Sequence, residues 1–277
     1  MISKSDLLLH YKRREIQEEL VRAGENREVA ARFGDDFGKR PDILKYPNDV
    51  IELVKQGATS FHVSEERWGN VLMLSTELGK KQLDELRTGW DLVLDIDCAI
   101  LEYSQLAADL AVKALRHNDV ENISVKFSGN KGFHIGVPFE SFPKKIGGVD
   151  TKLMFPEHAR RVAFYLTNLI EEPLEESLMK LEKDISGIAR KTGKKPSEII
   201  NDKKRLDAKP FLKIDTILIT SRHLYRMPYS FHEKSGLVSV PVNPKKILEF
   251  EKDEAKPRNV IVAIGGQDIL FSLLVIP

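Results

Sequence analysis

The spacing of apolar residues changes period several times along the chain. Residues 5–32 carry apolar positions at helical intervals, with a break near Ala23-Gly24. Residues 47–55 predict a short helix capped by Asn48. Residues 60–63 and 71–74 read as strands, divided by the polar stretch 65–69. Alternation returns at 91–97 and gives way to a helix over 103–116. On that helix Leu106, Leu110 and Ala114 fall four apart, with Ala107, Ala111 and Leu115 beside them, making one broad apolar face. Two strands, 123–127 and 133–137, flank a glycine-containing loop. From 156 to 202 the pattern becomes helical and densely charged, with a basic turn at 190–195, which predicts a helical insertion or subdomain. Strand-like segments resume at 211–220 and 237–242, a polar hinge-like stretch covers 251–258, and an apolar tail follows from Val260. Adjacent strand pairs mixed with helices predict an α+β domain of mixed or antiparallel sheets rather than a doubly wound parallel one.

Composition narrows this little. With 277 residues, 42% of them hydrophobic, the chain can bury a sizeable core in one large domain or two small ones. Lys+Arg 43 against Asp+Glu 42 leaves a net charge of +1, so any nucleic-acid contact must come from a local basic patch, with 190–195 and 203–205 as candidates. The single cysteine, Cys98, excludes an internal disulfide and a multi-cysteine zinc or iron–sulfur site. No apolar run is long enough to span a bilayer, and the N-terminus lacks a signal-peptide pattern. The expectation is a cytoplasmic, nucleoid-associated protein with no membrane association.

Three segments carry chemistry. In the strand 91–97, Leu92, Leu94 and Ile96 share one face while Val93, Asp95 and Asp97 share the other. Two residues apart on a strand places the aspartate Cα atoms about 6.5–7 Å apart, where their charges repel by roughly 2–3 kcal/mol at an effective dielectric near 20. A cation between them turns that repulsion into attraction, and two-metal phosphoryl chemistry requires such a rigid pair. A strand end reaching solvent would also accommodate both groups. The second segment, Ser128-Gly129-Asn130-Lys131-Gly132-Phe133-His134, joins two strands. Gly129 and Gly132 allow positive φ and a tight turn whose amides can face an anion, and Ser128, Lys131 and His134 can donate to one. An ordinary hairpin loop remains the alternative. The third segment places Asp215 among Phe211, Leu212, Ile214 and Ile217. An unpaired carboxylate is expensive there, so Asp215 wants a metal, a cap, or an ion pair with Arg222 or Arg226.

The order of these segments resembles the small catalytic subunit of archaeal and eukaryotic DNA primases, within the archaeo-eukaryotic primase superfamily. The likeness lies in Asp95-Ile96-Asp97, in Ser128-Gly129-Asn130-Lys131-Gly132-Phe133-His134, and in Ile214-Asp215 followed by Arg226-Met227-Pro228-Tyr229-Ser230-Phe231-His232. Residues 57–68 and Gly89-Trp90 add to it, so that it spans most of 25–250. It implies one primase–polymerase catalytic domain over 1–277, flanked by helices and interrupted at 156–202. It implies that Asp95, Asp97 and Asp215 form a catalytic, metal-binding triad for two Mg²⁺ or Mn²⁺ ions. Ser128, Lys131, His134, Arg226 and His232 would contact the nucleoside triphosphate. The implied partners are a single-stranded DNA template and a large subunit carrying an iron–sulfur cluster, in a heterodimer. Two departures stand out: Asn130 replaces a basic residue, and no zinc site is expected. The same motifs resemble the polymerase domain of bacterial end-joining ligases, so a primer-extending repair polymerase is an alternative. A catalytically silent nucleic-acid-binding subunit is a third, against which three clustered carboxylates speak.

Overall fold

The computed structural model describes residues 2–215 and 219–262; the apolar tail expected from Val260 falls largely outside them. Helices α1 (Lys4–Tyr11) and α2 (Arg14–Ala23) open the chain, followed by strands β1 (Val29–Phe33) and β2 (Asp36–Phe37). Helix α3 (Pro47–Lys55) leads to β3 (Ser60–Ser64) and β4 (Glu66–Trp68). Helix α4 (Lys80–Leu86), β5 (Arg87–Trp90), β6 (Leu92–Cys98) and helix α5 (Leu101–His117) come next. The hairpin β7 (Ser124–Phe127) and β8 (Phe133–Val137) is followed by the short pair β9 (Lys145–Ile146) and β10 (Val149–Asp150). Helices α6 (Glu157–Glu182) and α7 (Ile185–Thr192) precede β11 (Leu212–Asp215), β12 (Leu224–Arg226) and β13 (Pro241–Val242).

Two antiparallel sheets organise these elements. One runs β12-β3-β1-β2 and the other β11-β6-β8-β7-β13. The α+β expectation holds. On β6, Leu92, Leu94 and Ile96 are buried, and they join Val125, Phe127, Phe133 and Ile135 in the core beneath α5. The face of α5 that packs there is lined by Leu115 and by Ala107, Ala108 and Ala111, whose small side chains let helix and sheet approach closely. Leu106 and Leu110, expected on the same broad apolar face, lie half-buried at its flank. Along α6, Leu166, Ile170, Leu174 and Leu178 recur every fourth residue and are buried in the same cluster.

Several local expectations are corrected. The helical reading of 5–32 stops at Ala23, because Gly24 closes α2 and residues 29–32 pair with β3 instead. Asn48 does not cap α3. Tyr46 holds that position, and the Asp49 carboxylate accepts the amides of Lys45 and Tyr46 at 2.9 and 2.8 Å. Residues 71–73 form a 3₁₀ turn rather than a strand, since the Asn70 side chain accepts the Leu72 amide. The polar stretch 65–69 is not a solvated divider: Glu66, Arg67 and Trp68 form the buried strand β4. Each charge there meets a distant partner, Glu66 with Arg87 at 2.8 Å and Arg67 with Asp91 at 2.7 Å. Among the described residues, no helix is long and apolar enough to cross a membrane.

Candidate active site

Cross-strand register builds the site. Asp215 on β11 lies opposite Asp95 on β6, Asp95 opposite His134 on β8, and His134 opposite Lys126 on β7. Directly opposed residues in antiparallel strands share a face, so these four side chains form one polar row across the sheet. Asp97 lies on the same face two residues along β6, opposite Lys213. The alternate residues Leu94, Ile96, Phe133, Ile135 and Val125 fill the core, which is why the row projects from the opposite side. The strands of this sheet are therefore apolar on one face and carry the ionisable row on the other.

Strand β12 of the second sheet covers the row. The Tyr225 ring lies 6.0 Å from the His134 ring, and Lys126 Nζ sits 5.6 Å from the Tyr225 ring centroid. Lys126 is fully buried and donates to Ser239 Oγ at 3.0 Å. The His134 ring is buried, with Nε2 3.4 Å from Asp95 Oδ1. Asp95 keeps 39% of its side chain exposed, Asp215 is half-buried and Asp97 is exposed. The row thus opens to solvent at its carboxylate end and closes at its cationic end.

Electrostatics follow from that arrangement. Burial pushes Asp95 up to about 6; Lys126 pulls against this, while Asp97 and Asp215 push the same way. Burial draws His134 well below the ordinary imidazole range, with Lys126 and Arg226 adding to the effect, so the ring is neutral at pH 7. Lys126 is lowered by burial and then by Arg226, against the opposing pull of Asp95. Asp97 and Asp215 thus disfavour the charged form of Asp95, and a dication beside it reverses the sign of that interaction. Their donors are hard oxygens, suited to Mg²⁺ or Mn²⁺. The three carboxylates do not converge on a single point; among the described residues only Glu171, Glu175 and Asp207 bring ligand oxygens within 4.8 Å of one another.

The loop 128–132 lies beside this row. The Ser128 hydroxyl accepts the Gly132 amide at 3.2 Å, and the Ser128 amide donates to Gly132 O at 2.9 Å. Gly129 takes φ +98°, as a tight turn there requires, and a Cβ on it would stand 2.8 Å from His232 Cβ. Gly132 does not adopt the positive φ expected of it. It is needed for close approach, because a Cβ there would lie 1.9 Å from the Ile96 carbonyl oxygen, between Asp95 and Asp97. The loop is held from α5 by Ser104 Oγ donating to Lys131 O at 2.9 Å, leaving the Lys131 side chain exposed.

The structure brings the three sequence segments together with different outcomes. Asp95, Asp215 and His134 stand in one row, and His232 packs on the loop through Gly129. Arg226 and Arg222 are not the counter-ions of Asp215 that the sequence allowed for. Arg226 donates to Phe231 O and, at 3.0 Å, to Glu233. Arg222 forks onto the buried Glu28 at 2.7 and 3.0 Å. Burial, with Arg226 second, draws His232 down to about 4, so it too is neutral at pH 7. Sequence reasoning missed Lys126. The signal was present: a lysine inside an apolar strand, two residues before Ser128 and therefore on its face.

The family model for the DNA primase small subunit matches residues 93–244. None of the curated proteins compared matches the sequence. Among solved structures, the fold is similar to the polymerase domain of Mycobacterium tuberculosis Ligase D in complex with DNA. The TM-score is 0.56 at 16% identity, over 92% of this chain and 88% of that one.

Proposed function

Because the chain belongs to the DNA primase small-subunit family, we propose that it makes short primers on single-stranded DNA by template-directed nucleotidyl transfer. The observation that carries this is the polar row Asp215–Asp95–His134–Lys126, with Asp97 beside it and the loop 128–132 packed against the same strand. Asp95, Asp97 and Asp215 would hold two Mg²⁺ or Mn²⁺ ions. When bound, these supply Lewis acidity to the 3′-hydroxyl that attacks the α-phosphorus and to the departing pyrophosphate. The protein's own groups orient the triphosphate. Lys131 is exposed and can reach a phosphate directly; Ser128 presents its hydroxyl at the loop's edge. His134 and His232, both neutral, donate ring N–H groups without adding charge. Arg226 meets phosphate by exchanging its bond to Glu233. In its protonated form Lys126 favours the ionised form of Asp95 and the neutral form of His134.

We read residues 1–277 as one catalytic domain with a helical subdomain around α6 and α7. A net charge of +1 leaves template capture to a few local cations, which supports work alongside a large, iron–sulfur-bearing subunit. The fold is shared with a polymerase domain solved on DNA, so a primer-extending repair polymerase is the second reading. A product gel separates the two. Unprimed single-stranded DNA, Mn²⁺ and labelled nucleotides should yield short products that disappear in Asp95→Asn. Products only from primed templates would favour the second reading, and none from either would overturn both.

A further inference from the structure

The start of β12 carries an ionisable pair that has no part in the chemistry described so far. Leu224 lies opposite Ser64 and Tyr225 opposite Val63, so the register brings His223 to face Glu65. His223 Nδ1 lies 3.3 Å from Glu65 Oε1. The imidazole stands two residues before Tyr225, whose ring covers His134, and both Asp95 and His134 lie within its electrostatic reach. It therefore borders the polar row on the side of the second sheet.

Glu65 is buried, and among the described residues its second oxygen, Oε2, meets no donor. Burial pushes this carboxyl up to about 7; His223 pulls against that, while Glu66 and Asp95 push the same way. A buried carboxylate with one partner is costly, so its retention beside the row calls for a use. The residues around His223 are firmly anchored. Ser221 Oγ donates to Glu66 Oε1 at 2.9 Å and Arg222 Nε to Glu28 Oε2 at 3.0 Å. Three consecutive side chains are thus pinned to buried glutamates, while the His223 side chain keeps 27% of its surface exposed. A carboxylate that accepts Nδ1–H fixes the tautomer whose Nε2 lone pair is free, and it stabilises the imidazolium formed when Nε2 takes a proton.

We propose that His223 is the catalytic residue that accepts the proton of the primer 3′-hydroxyl, with Glu65 as its positioning residue. This rests on the nucleotidyl-transfer reading above. Nε2 takes the hydroxyl proton as the bond from the 3′-oxygen to the α-phosphorus forms. The bond from that phosphorus to the bridging oxygen breaks, and its electron pair leaves with pyrophosphate. The imidazolium then releases the proton to solvent through its exposed edge, and Glu65 stays ionised throughout. Carboxylates engaged with a dication are poor proton acceptors, which leaves this task to a group outside the aspartate set.

His223→Asn tests this, because it keeps a donor for Glu65 at the Nδ1 position and removes Nε2. It should hold wild-type Tm yet lose about 100-fold in kcat, with KM for primer and nucleotides within about twofold. Free imidazole added to His223→Ala should raise its rate about tenfold or more, in proportion to the free-base fraction, a gain that a structural role cannot produce. Independently of activity, ¹⁵N NMR of the metal-free protein at pH 8 should show His223 as the Nδ1–H tautomer. Glu65→Gln should disturb that tautomer and lower kcat by about 10- to 100-fold. Full kcat in His223→Asn, a rise in KM alone, or no imidazole rescue overturns the proposal. Wild-type protein that makes no product on any template overturns the functional reading and this inference with it. An active wild type beside a fully active His223→Asn overturns this inference alone, so the two failures are distinguishable.

Discussion

Gly132→Ala tests whether the loop holds the carboxylate strand in place. The added methyl would lie 1.9 Å from Ile96 O, 2.9 Å from Ile96 C and 3.2 Å from Asp97 Cα. Non-bonded heavy atoms settle about 3.5 Å apart, so the loop or β6 must retreat by more than ~1 Å. All three neighbours are backbone, which cannot swing aside as a side chain would. Overpacking of this kind costs about 3 kcal/mol, or a fall in Tm of roughly 6–10 °C for a chain of this size. A displacement of ~1 Å at Asp97 should lower kcat by about 100-fold. Thermal denaturation gives the first quantity, and nucleotide incorporation at a temperature where the variant stays folded gives the second. Two controls isolate the cause. At Gly69 an added Cβ meets Thr88 Cγ2 at an ordinary 3.6 Å, so Gly69→Ala should stay within about 0.5 kcal/mol of wild type. Gly34 has φ +63° in open space, so Gly34→Ala should lose about 1 kcal/mol with kcat unchanged. Wild-type Tm and kcat in Gly132→Ala would refute the close-approach argument. Lost stability with intact kcat would confine the contact to a structural role.

Further outcomes follow from the same geometry. Asp95→Asn should abolish incorporation yet stabilise the metal-free fold by up to about 1 kcal/mol at pH 7, allowing for solvent screening. The sign follows because its folded pKa, near 6, lies above the unfolded value, so stability drains away as pH rises towards 6; urea denaturation checks it. Burial draws His10 down to about 4, so the unfolded chain takes up the proton first as pH falls below 6.5. Stability should drop by ~2 kcal/mol between pH 7 and 5 on this account, and His10→Gln should flatten that slope. Lys126→Met, which replaces a buried cation with an apolar chain, should fold normally but move the acid limb of the pH–rate profile upward as Asp95 loses its positive neighbour. Lys131→Ala should raise KM for nucleoside triphosphates tenfold or more, the loss of a charge-assisted contact worth about 1.5–3 kcal/mol, with Tm unchanged.

What the sequence made legible was set by how locally each feature is determined. Alternation in 91–97 is a property of seven residues, and it placed Asp95 and Asp97 opposite the core side chains before any strand was paired. The hairpin around 128–132 was equally local. Strand β1 was not, because Glu25, Arg27, Glu28 and Arg32 make the segment look like a charged helix face. Its strand character comes only from pairing with β3. Buried charge was the least legible feature. Nothing near Glu28 or Glu66 announces that Arg222 and Ser221, more than 150 residues later, will satisfy them. Lys126 belongs to the same class: its polarity was visible, but its place beside His134 needed the register of β7 on β8.

That register has a consequence in time. Asp95, the loop and His134 lie within 40 residues of one another, so three central strands can pair while the ribosome is still extending the chain. Asp215 comes 120 residues after Asp95 and enters from the sheet's far edge once α6 and α7 have been made. At translation rates of about 5–20 residues per second, that delay is roughly 6–24 s. The nascent protein therefore holds two of its three carboxylates, and no Arg226, for most of that interval. Premature termination before β11 leaves a fragment without the outer end of the row.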